Sequence, residues 1–167
     1  MIQKLIDEIN IALNQGLYLV ALSSALTLPD VCGKAEYPKE TTTKRYKKWY
    51  STYVNADLPE DHVYELRCSL LHEGNTDTKD KNHIHFRLVT NERLQSLGMD
   101  FCIKSRVTHK DGTAETRVTV YAGYLCTAIC AAAKSYYEEN EDKFDFLNYS
   151  IDDISKGLEG MGFVCDV

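Results

Sequence analysis

Proline is scarce in this chain, three residues in 167, and the nine glycines follow no repeat. A collagen-like chain is excluded, and the hydrophobic fraction of 44% excludes a disordered one. There is no apolar run approaching the roughly 20 residues that cross a bilayer. The first eight residues, Met1 to Glu8, carry Asp7 and Glu8 where a signal peptide keeps an uninterrupted apolar core. The expectation is a cytoplasmic protein with no targeting segment and no membrane partner. An excess of basic charge is also missing: 19 Lys and Arg face 25 Asp and Glu, for a net charge of −6. That balance opposes tight non-specific binding to nucleic acid, which needs a broad positive surface. It leaves room for an enzyme that meets RNA through a small local patch. None of the six cysteines forms a Cys-x-x-Cys pair. Cys126 and Cys130 share a helix face at a spacing zinc can use, but no second ligand pair follows. The set reads as reduced, mostly buried thiols, with no metal and no cofactor.

What is present is an ordinary globular mixture, 26% charged, of a length suited to a single domain over 1–167. Ile2, Leu5, Ile6, Ile9 and Leu13 recur at helical spacing and predict an amphipathic helix. Gly16 interrupts weakly. Leu17 to Leu28 continues as a more apolar helix, expected to be buried on most sides and stopped by Pro29. Asp30 to Glu40 reads as a connection containing Gly33 and Pro38. Thr41 to Tyr53 predicts a second helix, with Tyr46, Trp49, Tyr50 and Tyr53 on one stripe. Lys44, Arg45, Lys47 and Lys48 lie largely off it. These four are candidate RNA-binding residues; the competing reading, preferred on burial statistics, is a core stripe with a solvated basic face.

The third helix is predicted from about Leu58 to about Glu73. Asp57 is the expected N-cap, Pro59 falls in the first turn, and Gly74 terminates. Ile84 to Val89 alternates like a strand. Phe101 to Thr108 and Thr113 to Tyr121 are β-prone runs around an Asp111-Gly112 turn, which predicts a hairpin. Ala122 to about Glu138, small and apolar nearly all round, predicts a central helix. Asp152 to Leu158 reads as a short helix and Gly160 to Val167 as an extended piece. The fold class is therefore mainly α: a four-helix bundle with a small antiparallel β insertion, about 83–121, before the last long helix.

The segment with most chemical content is Tyr64 to Gly74, which contains Arg67 and His72. Arginine offers a fixed fork of donors to a phosphate and its developing charge. Histidine can take the proton of a 2′-hydroxyl or protonate a leaving oxygen. Five α-helical steps place the two about 140° apart around the axis and about 7.5 Å apart along it. One copy therefore does not converge on a single atom, whereas two copies across a twofold axis can surround a phosphate. The bland alternative pairs Arg67 with Glu65 or Asp61 and uses His72 to cap carbonyls. Asp30 and Lys34 can frame the site or merely form a capped turn. Glu73 can tune His72 or stand in solvent. His83 and His85 alternate on one strand face but lack a third metal ligand. Ser69 has no histidine–acid partner in evident order.

The run Arg67-Cys-Ser-Leu-Leu-His72 on the third long helix resembles the Arg-x4–6-His signature of the HEPN superfamily. Ala25 to Gly33 and Arg45 to Tyr50 also resemble one bacterial HEPN group, so that the likeness spans roughly residues 10 to 75. It implies a four-helix domain that forms a homodimer with a composite site. Many members are metal-independent ribonucleases of toxin–antitoxin, CRISPR or phage-defence systems. Carried over by position, Arg67 and His72 are the catalytic pair, RNA is the substrate, and an antitoxin protein is a partner. One departure is Cys68, where active members often have Asn, Asp or His; a thiol is a weaker hydrogen-bonding group. The resemblance thus implies either an endoribonuclease or a non-catalytic module that binds a partner protein or nucleotide.

Overall fold

The computed structural model describes residues 2–74, 84–89, 103–112 and 114–147, with the backbone alone at 84–89, 103, 104, 115 and 116. Within them the chain is mainly helical with one small sheet. Helix α1 (Ile2–Asn14) turns Ile2, Ile6 and Ile9 into the core, as its periodicity predicts, and Ala12 with them, while Leu5 and Leu13 are only partly buried. It ends fully at Gly16 rather than being weakly interrupted. The Gly16 amide donates to Leu13 and the Leu17 amide to Ala12, and Gly16 takes φ +72°, where a side chain is strained.

Helix α2 (Tyr18–Ala25) buries Ala21, Leu22 and Ala25. The expectation of burial on most sides fails at Leu19 and Val20, which are 59% and 57% exposed. The largest correction follows at Pro29. It does not stop a helix; it sits in the first turn of α3 (Leu28–Glu36), where a missing N–H costs nothing because that donor has no intrahelical partner. The expected connection Asp30–Glu40 is therefore helical over most of its length.

Gly33 explains how α3 meets α4 (Thr42–Tyr53). A Cβ at Gly33 would lie 2.8 Å from the Arg45 carbonyl oxygen, a backbone atom that cannot swing aside. Gly33→Ala is accordingly expected to destabilise the protein by about 1–3 kcal/mol through overpacking, read as a lowered midpoint in urea unfolding at unchanged slope. On α4 the aromatic stripe is core: Tyr46, Trp49 and Tyr50 are buried. Tyr53 lies at its rim, with its ring stacked 5.3 Å from Trp49.

Helix α5 (Glu60–Cys68) starts after Pro59, whose extended ψ of 148° lies outside the helix. Asp57 makes no capping hydrogen bond here; Glu60 and Asp61 in the first turn face the helix dipole instead. From Ser69 to Glu73 the helix widens into a π-turn that ends at Gly74, φ +66°.

Strands β1 (Ile84–Val89), β2 (Ile103–Thr108) and β3 (Ala114–Tyr121) form one sheet in the order β1-β3-β2. The predicted hairpin is present as antiparallel β2–β3, Ile103 opposite Thr119 and Thr108 opposite Ala114. The sheet is not wholly antiparallel, however: β1 pairs parallel with β3, Ile84 opposite Thr116. Val118 and Val120 of β3 face the core, and β3 runs directly into α6 (Ala122–Glu139). Helix α6 is central, packing against α1, α2, α3 and α4. Its buried face carries Leu125, Cys126, Ile129, Cys130, Ala133 and Tyr136. A short 3₁₀ turn, Glu141–Phe144, closes the aromatic end of the core with Phe144. The readings of Asp152–Leu158 and Gly160–Val167 lie outside the described residues.

No helix among the described residues is long and apolar enough to cross a membrane. Burial pushes the Cys32 and Cys126 thiols up to about 12 and Cys130 to about 11, so these three are inert core groups, as the sequence suggested. No cluster of three metal-ligating side chains occurs among the described residues. His83 lies outside them, and the side chain of His85 is likewise not described.

Candidate active site

The π-turn changes the geometry expected of Arg67 and His72. A π-turn closes its hydrogen bonds between residues five apart rather than four. Residues 67 and 72 are five apart, and the widened turn brings them to one side. Arg67 Nη1 stands 3.0 Å from His72 Nε2. A single chain therefore does bring the pair together, contrary to the straight-helix expectation. Arginine has only donors, so His72 Nε2 accepts and its ring proton is assigned to Nδ1.

The other arm of the fork is held from α3. Arg67 Nη2 donates to Asp30 Oδ2 at 2.7 Å, and both side chains are only 16% exposed. Of the alternatives, Asp61 is paired with Lys47 at 2.7 Å. Burial opposes the Arg67 charge, but the Asp30 carboxylate, helped by Cys68, outweighs it and raises the arginine pKa further. Asp30 reaches this position from the first turn of α3, which Leu28 and Pro29 open. Cys68, the departure from the family pattern, lies 4.0 Å from Arg67 Nη1, a weak sulfur contact.

Two further residues complete the surroundings. Tyr64 places its ring 6.0 Å below the Arg67 guanidinium and 5.2 Å edge-to-face from Tyr46. Burial, and next the Asp30 carboxylate, hold the Tyr46 phenol well above its ordinary range. Sequence reasoning assigned Tyr46 to the core stripe and so missed its closeness to Asp30. The only signal was its position one turn from Trp49 on the aromatic stripe, which serves a core role equally well. Asp30 Oδ1, the Tyr46 hydroxyl and Arg67 Nε are buried with no hydrogen-bond partner among the described residues. The cluster thus keeps hydrogen-bonding capacity that its own side chains do not consume.

The basic residues of α4 are divided. Lys44 and Lys48 are exposed, and Lys48 lies 4.1 Å over the Tyr37 ring. Arg45 is half-buried at the α3 crossing. Lys47 comes nearest to the site, 5.2 Å over the Tyr64 ring, but is neutralised by Asp61. Lys34 points to the Phe146 ring at 4.3 Å and does not join Asp30. Glu73 is exposed and Ser69 is buried.

Chemically, the arrangement presents one cation with a planar donor fork, one imidazole whose acceptor nitrogen touches that fork, and one carboxylate fixing the fork from behind. Such a set can bind an anion and move a proton beside it. Comparison of the chain with family models, curated proteins and solved structures finds no match in any of the three.

Proposed function

We propose that this chain is a HEPN-type domain that cuts RNA without metal, as a cytoplasmic homodimer, in a toxin or phage-defence role. The observation that carries the proposal is the 3.0 Å contact between Arg67 Nη1 and His72 Nε2 on a helix of a mainly helical protein. It adds to the sequence signature a geometric reason for the two residues to act as a unit.

A phosphodiester is the natural competitor for Arg67. Its anionic oxygens form charge-assisted bonds with a guanidinium, stronger than the bond to neutral imidazole. As the phosphate takes Nη1, the Nε2 lone pair of His72 is released to act as a base. The 2′-hydroxyl gives its proton to that nitrogen and its oxygen attacks phosphorus. The bond from phosphorus to the 5′-oxygen breaks, and the leaving oxygen takes up a proton. The products are a 2′,3′-cyclic phosphate and a 5′-hydroxyl. Arg67 stabilises the charge that grows on the phosphoryl oxygens. A second copy of the motif across the dimer supplies the acid for the leaving group. The test is incubation of labelled single-stranded RNA and tRNA with the protein in EDTA. Cutting that leaves cyclic phosphate ends supports the proposal; intact RNA in both cases removes it.

One observation favours the second reading, a binding module for a partner protein or nucleotide. Both arms of the Arg67 fork are already engaged inside the chain, by Asp30 and His72, as in a structural network. Under that reading His72→Ala leaves the RNA result unchanged and alters dimerisation or partner capture instead.

A further inference from the structure

A pocket lies on other elements of the fold. It has a volume of about 420 Å³ and is walled by Asn10, Leu13 and Asn14 of α1, with Tyr121 from the end of β3 and Tyr124 and Thr127 from the first turns of α6. Asp30, Tyr46, Arg67 and His72 belong to α3, α4, α5 and the π-turn, so the two sites share no residue. The volume falls in the range of small-molecule sites, roughly 300–1,000 Å³.

Its chemistry is specific in what it offers. Among the described residues no charged side chain lines it. Asn10 and Asn14 stand one helical turn apart on α1, so their amides lie on one face. Each amide carries both a donor and an acceptor edge. Among the described residues, the Asn10, Asn14 and Tyr124 side chains have no hydrogen bond of their own. The Thr127 hydroxyl is already spent on the Gly123 carbonyl at 2.8 Å, which fixes that wall. Tyr121 and Tyr124 add flat aromatic surface, and Leu13 an apolar floor.

We propose that this cavity binds a nucleobase. A base is planar, uncharged and heteroaromatic. Its edge alternates donors and acceptors as a carboxamide does, which is why asparagine pairs with adenine through two bonds. Its π-face stacks on tyrosine. A free phosphate or a carboxylate finds no cation here, and an aliphatic ligand would leave the amides unpaired. The base can come from a free nucleoside or from an unpaired position in an RNA strand; the recognising chemistry is the same.

The experiment is an NMR titration of amide and side-chain carboxamide signals. The probes are adenosine, guanosine, cytidine, uridine and glucose, followed by short oligoadenylate and oligouridylate on the His72→Ala protein so that the strand stays whole. Saturable shifts at Asn10, Asn14 and Tyr124 are expected with at least one nucleoside or oligonucleotide. The Asn10→Ala/Asn14→Ala protein should bind roughly tenfold or more weakly, and Tyr124→Ala likewise. Asn10 and Asn14 are exposed, so the double variant should melt like wild type, and that melt separates lost binding from lost fold. A response to oligonucleotide but not to nucleosides identifies the strand as the source. Binding of glucose in place of bases, binding insensitive to the substitutions, or no response to any probe overturns the proposal. Because the sites share no residue, Arg67→Ala should leave this binding intact, and failure of the ribonuclease reading does not touch it.

Discussion

His72→Ala is expected to lower RNA cutting by about 10²–10⁴-fold, the usual contribution of a positioned general acid–base group. Arg67→Ala should lower it by at least about 10²–10³-fold, the effect of removing a donor aimed at developing charge. The double variant should be scarcely worse than either single one, because the two side chains touch at 3.0 Å and under the proposed mechanism serve one phosphate. Arg67→Lys is the sharper control. Lysine keeps the charge but cannot hold Asp30 with one nitrogen while reaching His72 with another. It should therefore resemble Arg67→Ala in activity while keeping more of the stability. His72 is exposed, so His72→Ala should fold and melt as wild type does. Cleavage is read by gel on labelled RNA in EDTA, and folding by circular dichroism. Unchanged cutting by a well-folded His72→Ala protein would end the catalytic reading and move the motif to the binding module. Parallel loss of cutting and of fold in Arg67→Ala alone would make that arginine structural.

The parts legible in the sequence are those set by local periodicity. The α1 stripe, the aromatic face of α4, the apolar α6 and the β2–β3 hairpin follow from residue spacing, because burial of one face decides each of them. What escaped was decided by contacts between elements. Pro29 is compatible with stopping one helix or opening the next, and local rules do not choose. Leu19 and Val20 look like core by composition but lie outside the packed face of α2. Gly33 resembles a loop glycine, yet its role is to let the Arg45 carbonyl approach. The parallel pairing of β1 with β3 depends on a connection that no alternation pattern encodes. At the candidate site the residue types were readable and the geometry was not. No residue between Ser69 and Glu73 announces a π-turn, and assuming a regular α-helix separates the very pair that the turn joins.

Asp30 carries the second large effect. Its carboxylate holds one arm of Arg67 at 2.7 Å in a setting where both side chains are largely buried. Removing it leaves a guanidinium with little water and one partner fewer. An exposed pair is worth at most about 1 kcal/mol, and breaking a fully buried one costs about 3–5 kcal/mol. This pair keeps some solvent, so Asp30→Ala should destabilise by about 2 kcal/mol, a drop in Tm of about 4–8 °C for a chain of this size. Asp30→Asn retains an acceptor but not the charge, and should fall between Asp30→Ala and wild type. A double-mutant cycle with Arg67→Ala separates the pair from its surroundings, because each single variant leaves one charged partner stranded and the double leaves neither. The double variant should therefore be less destabilised than the sum of the two. The functional consequence is of a different kind. Under the proposed mechanism Asp30 is a positioning residue: it holds one arm of Arg67 while the other arm meets His72. Its loss should reduce kcat with little change in KM, since the fork remains charged but is no longer aimed. Equal losses in kcat and in the folded fraction would reduce Asp30 to a packing role. A kcat unchanged at full stability would show that Arg67 needs no support from α3.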